Sequence, residues 1–111
     1  MVLPEEGCLL RIFIGESERA EGKPLYQLLV EKARAAGLAG ATVWRGMMGF
    51  GANSRIHTSK IMRLSQDLPV IVEIVDTREK LKDFLDDVDG FIKGGMATLE
   101  KAQVHFYRSN S

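Results

Sequence analysis

Pro69-Val70-Ile71-Val72-Glu73-Ile74-Val75, running straight into Asp76-Thr77-Arg78-Glu79, is the stretch on which the fold turns. Seven nearly continuous apolar or β-branched residues read as a strand in a central sheet position. Pro69 suits its first residue, where a missing N–H costs least. Asp76 and Glu79 have the spacing of a helix-capping box. Leu81, Phe84, Leu85 and Val88 then recur at helical spacing, with Asp83, Asp86 and Asp87 on the wet side. This strand-to-helix unit has a counterpart upstream. Cys8 to Ile14 is an apolar strand ending at Gly15, and Gly15 to Lys23 is a polar loop. Pro24 suits a first helical residue. Leu25, Leu28, Leu29, Ala33 and Ala36 form an apolar stripe that Gly37 can stop.

Ala41 to Met48, with Val43 and Trp44, reads as a further strand, and residues 52–66 as a long excursion, part extended and part mobile. Gly90 ends or distorts the second helix. Gln103-Val104-His105-Phe106-Tyr107 reads as the last strand. The order β-α-β-β-α-β, with right-handed crossovers, points to an α+β fold. The expected form is a ferredoxin-like βαββαβ sandwich, a four-stranded antiparallel sheet with two helices on one face. The other sheet face would stay bare, and apolar residues on both faces of strands one and three favour a homo-oligomer packed sheet to sheet.

The chain has 111 residues, the length of a single domain spanning 1–111. Its composition is 45% hydrophobic and 27% charged, which excludes wholesale disorder. Lys+Arg and Asp+Glu are 15 each, a balance that argues against nucleic-acid binding. No apolar run reaches the roughly 18–20 residues of a membrane span, and MVLPEEGCLL puts acids where a signal peptide has bases. A cytoplasmic protein is expected, and the single Cys8 fits a reducing compartment. Charge is unevenly spread: residues 32–66 hold six bases and no acid, whereas 67–89 hold eight acids. The middle stretch either attracts an anion or is covered by the acids of 67–89.

Arg45-Gly46-Met47-Met48-Gly49-Phe50-Gly51 carries most of the chemistry. Glycines at a strand end let main-chain N–H groups approach an anion, and Arg45 and Arg55 add guanidinium forks. The alternative is a simple bend where the strand leaves the sheet. Lys93-Gly94-Gly95-Met96 is a second small-residue segment, expected near the first only across subunits. No catalytic constellation appears: His57 and His105 have no orienting carboxylate nearby, and Cys8 suits the core. No metal cluster is formed either, because Asp86, Asp87 and Asp89 splay around a helix.

Residues 25–43, Arg45–Gly51, His57–Ile61 and Asp67–Asp76 resemble the PII-like family numbered as domain of unknown function 190, over a span from Cys8 to Tyr107. The resemblance implies a ferredoxin-like homotrimer and a non-enzymatic signal-transduction role. It implies ATP, ADP or AMP as effector in inter-subunit clefts, with no required cofactor. By position it assigns nucleotide contacts to Gly46, Gly49, Phe50, Gly51, Asn53 and Arg55, to Lys93, Gly94 and Gly95, and to Arg108 in the tail, and Arg45 joins them on its guanidinium beside the glycines. The 52–66 loop would contact an unknown target protein, a membrane transporter or channel being one candidate. No glutamine lies between Gly49 and Ser65 and no tyrosine between 45 and 66, so oxoglutarate sensing and tyrosine nucleotidylation are not expected. Two alternatives remain: an ion-responsive or structural trimer without nucleotide, and an acylphosphatase-like enzyme. The latter needs an arginine after strand one, where this chain has Gly15-Glu16-Ser17-Glu18.

Overall fold

The structure, a computed structural model, describes residues 6–51, 57–58 and 67–110. Its spine is β1 (Glu6–Gly15), which pairs antiparallel with β7 (Pro69–Asp76) on one side and β8 (Met96–Gln103) on the other. β4 (Thr42–Arg45) pairs with the far edge of β7, giving the order β4-β7-β1-β8. Strand alternation divides the residues cleanly. Cys8, Leu10, Ile12 and Ile14 of β1 and Val70, Val72 and Ile74 of β7 point to one side and are buried. There they meet Leu25, Leu28, Leu29 and Ala33 of α1 (Leu25–Ala35) and Leu81, Phe84 and Val88 of α2 (Arg78–Val88) in one core. This is the ferredoxin-like sandwich expected from the element order.

Helix ends follow local chemistry. Gly37 closes α1 at φ +74°, as a left-handed stop requires. Pro24 lies one residue outside that helix, in a small hairpin of β2 (Arg19–Ala20) and β3 (Lys23–Pro24). At α2 the capping residue is Thr77, whose hydroxyl accepts from Lys80 N at 3.2 Å, not Asp76 as the spacing suggested. Asp76 is fully buried. Its two oxygens accept from Ala39 N at 2.9 Å and Thr77 N at 2.6 Å, stapling the α1–β4 connection to the end of β7. A short 3₁₀ turn at Asp89–Phe91 follows α2, where Gly90 was expected to distort it.

Two strand expectations need correction. The second strand does not run on to Met48. It stops at Arg45, Gly46 N donates to Pro69 O at 2.7 Å, and Met48–Gly49 (β5) pairs instead with His57–Thr58 (β6). The last strand is Met96–Gln103 rather than 103–107. As a solvent-facing edge strand it shows little apolar run, so pairing with β1, not hydropathy, sets its extent. Val104–Tyr107 lies past its end, and Tyr107 Oη donates to Ala39 O.

Candidate functional site

Both glycine segments line one cleft of about 490 Å³ in a single chain. Gly46, Gly49, Phe50 and Gly51 form one wall, Gly94 and Gly95 another, and Phe13, Ile71 and Pro69 lie between them. The expectation that a second subunit is needed to bring the segments together is therefore corrected. The cause is topological: β8 pairs with β1 through Phe13↔Met96, so residues 94–95 enter the sheet beside the end of β1. The end of β4 reaches the same rim through β7.

The glycines divide by role. A Cβ on Gly95 would stand 2.4 Å from the Phe13 carbonyl oxygen, and its φ is +135°. A Cβ on Gly46 would stand 2.8 Å from Pro69 Cγ. These two allow the chain to pack. Gly51 and Gly94 face open space, with nothing within 4 Å of a notional Cβ, and leave main chain accessible from the cleft.

The charged residues expected at the site are arranged differently. Among the described residues lining the cleft the ionisable groups are Glu18 and Asp67, and none is basic. Both carboxylates are engaged locally: Glu18 Oε2 accepts from Gly15 N at 2.7 Å and Asp67 Oδ1 from Ser17 N at 2.8 Å. Arg45 stands next to Gly46 at the rim, and its Nη2 is paired with Glu16 Oε2. The acids of 67–89 do not cover Arg45 of the acid-free stretch: its acid comes from the loop after β1. Lys32 of the same stretch sits 5.0 Å from the Phe91 ring centroid. Lys93 is exposed beside Gly94. Arg108 lies in the tail at the other end of the sheet, its guanidinium 4.0 Å from the Phe106 ring centroid. Asn53 and Arg55, and the 52–66 excursion apart from β6, fall outside the described residues. Sequence reasoning saw the acids Glu16 and Glu18 after strand one but did not assign them, or Asp67, to this cleft.

The open sheet face carries an apolar row along cross-strand partners, Trp44↔Ile71, Ile71↔Phe13 and Phe13↔Met96. Next to it runs a polar network. Arg11 Nε donates to Glu73 Oε2 at 2.8 Å and its Nη1 to Glu100 Oε1 at 2.5 Å, while Trp44 Nε1 donates to Glu73 Oε1 at 2.6 Å. The Arg11 bond, then that of Trp44, holds the Glu73 carboxyl below the usual carboxylate range, and the Glu73 bond raises the Arg11 guanidinium. Past this network, at the Tyr107 end, lies a second cavity of about 530 Å³ with Leu9, Val75 and Ala102 on its floor. No group of three potential metal ligands occurs among the described residues, and no helix among them is long and apolar enough to cross a membrane.

Comparison with known proteins places the chain in context. The family model DUF190, described as "Uncharacterized ACR", matches residues 7–104. A UPF0166 protein of Aquifex aeolicus is 47% identical over 96 residues, covering 86% of this chain and 90% of its own. A UPF0166 protein of Methanocaldococcus jannaschii is 34% identical over 85 residues, covering 77% and 78%. Among solved structures, CPII from Thiomonas intermedia K12, a nitrogen regulatory PII-like protein bound to ADP, AMP and bicarbonate, superposes with a TM-score of 0.68 at 16% identity. That match covers 89% of this chain and 88% of CPII. The apo form of CPII gives 0.61 at 14% identity, covering 89% and 91%.

Proposed function

The chain belongs to the DUF190 family, whose fold it shares with nitrogen regulatory PII-like proteins, and from that premise we propose that it is a non-enzymatic regulatory protein that responds to an adenine nucleotide. One observation carries the reading: two separate glycine-rich segments, 46–51 and 94–95, converge on one cleft with open main chain at Gly51 and Gly94. Such a surface suits close approach of a phosphate or a ribose, and the neighbouring CPII structure holds ADP and AMP. Phe50, exposed at the rim, offers a ring for base stacking.

The cation complement comes from elsewhere in the assembly. Arg45 flanks the cleft, and Arg108, remote within one chain, reaches a cleft from a neighbouring copy in a cytoplasmic homotrimer. The apolar row on the open sheet face, ending on Trp44 at one edge and Met96 at the other, is the surface that trimer would bury. With the nucleotide bound, Arg55 supplies a further phosphate contact and the 52–66 segment contacts the target protein. Calorimetric titration with ATP, ADP and AMP tests the reading. Saturable binding of at least one is expected, and silence with all three refutes it.

A further inference from the structure

The Glu16–Arg45 pair stands on the lip of the glycine cleft from both sides. Gly15 and Gly46 both line the cleft, and each is followed or preceded in the chain by one member of the pair. Both members are anchored to the same short segment. Glu16 N donates to Leu68 O at 2.8 Å, and Gly46 N donates to Pro69 O at 2.7 Å. The backbones that carry the two side chains are therefore set by adjacent carbonyls, so little freedom is lost when the pair forms. The two ends differ in solvent access: the Arg45 side chain is 65% exposed and the Glu16 side chain 20%. A mostly exposed guanidinium can turn to another anion, while the more enclosed carboxylate stays in place.

We propose that Glu16 is a built-in competitor for the anionic ligand of this cleft. It holds the Arg45 guanidinium while the cleft is empty, and a phosphate oxygen of the ligand takes its place on binding. The exchange trades one charge-assisted pair for another, so the affinity measured is a difference between them. The carboxylate also screens the rim against weakly charged anions, which cannot displace it. The ligand class this selects is the phosphate monoester or diphosphate, where charge is concentrated on terminal oxygens that accept a bidentate fork. The inference rests on the nucleotide reading above and adds a regulatory residue that the glycine motifs do not contain.

The test is calorimetric titration of ADP, at low ionic strength, into the full-length protein and its Glu16→Gln, Arg45→Met and doubly substituted forms. Competition from a partly exposed ion pair predicts that Glu16→Gln binds ADP about twofold to fivefold more tightly. It also predicts that the gain vanishes when Arg45 is already methionine. A general field effect of the lost charge would persist in that background, and Glu21→Gln at the hairpin tip reports its size. Glu16→Asp, whose carboxylate is one methylene too short to hold Arg45 in the same way, serves as a second variant and is expected to tighten binding in the same direction. If the parent protein binds ADP and Glu16→Gln binds equally or more weakly, the competitor role is overturned and the nucleotide reading stands. If none of the forms binds ADP, the competitor role is overturned, and the nucleotide reading falls with it when ATP and AMP are silent as well.

Discussion

Replacing Gly95 by alanine is the sharpest perturbation of the cleft wall. The added Cβ would lie 2.4 Å from the Phe13 carbonyl oxygen and 3.2 Å from Ile14 Cγ2. The obstacle is backbone at the closed end of the β1–β8 ladder and cannot swing aside. The residue's φ of +135° adds a second penalty, because L-residues avoid that region. Backbone strain of about 1–3 kcal/mol and overpacking of about 1–3 kcal/mol give a total of about 2–6 kcal/mol. For a domain of this size that corresponds to a melting-temperature drop of roughly 8–24 °C. Gly94→Ala is the matched control. Its Cβ would meet nothing within 4 Å and its φ is not positive, so it should melt within about 2–3 °C of the parent protein. Thermal unfolding followed by circular dichroism reads both. A Gly95→Ala protein that melts like the Gly94→Ala protein would show that β8 does not enter the sheet against Phe13, and the cleft geometry would be wrong with it.

Substitutions at three further positions probe the frame. Asp76→Ala should destabilise by about 2–4 kcal/mol in urea unfolding, since it orphans the Ala39 and Thr77 amides in a buried setting, while Asp76→Asn should cost less because one acceptor oxygen remains. Thr77→Ala should cost about 1 kcal/mol by removing the cap of α2, which urea midpoints will register. Glu73 has a folded-state pKa held below its unfolded value by Arg11 and Trp44, so its contribution is present above the unfolded pKa and is lost as pH falls through the folded one. Glu73→Gln should therefore lower stability at pH 7, and the gap to the parent protein should narrow as pH falls below the ordinary carboxylate range, measured by urea midpoints at pH 7 and at a series of lower values.

What the sequence made legible was whatever depends on periodicity and local chemistry. The apolar runs of residues 8–14 and 69–75, the stripe from Leu25 to Ala33, and the Gly37 stop all appear where their patterns place them. The edge strand β8 was not legible, because Met96–Gln103 is exposed on most of its length and its pairing partner is some ninety residues away in the chain. The apolar run after it has the residue types of a strand, yet it folds past the sheet to Ala39. Asp76 and Thr77 exchanged roles for a similar reason. Capping spacing is local, whereas the half-buried amide of Ala39 that claims Asp76 comes from a distant connection. At the candidate site the glycines were readable and their meeting was not, since it follows from the place of β8 beside β1. The partner of Arg45 was likewise hidden, because Glu16 lies 29 residues away.

The most direct measurement is amide-resolved NMR of the protein during titration with ADP. A ligand seated between the two glycine segments should shift the amides of Gly49, Gly51, Gly94 and Gly95 together, along one saturation curve. Shifts confined to Ala39–Thr42 and Ala102–Tyr107, at the opposite end of the sheet, or no shifts with ADP and then with ATP and AMP, would contradict it.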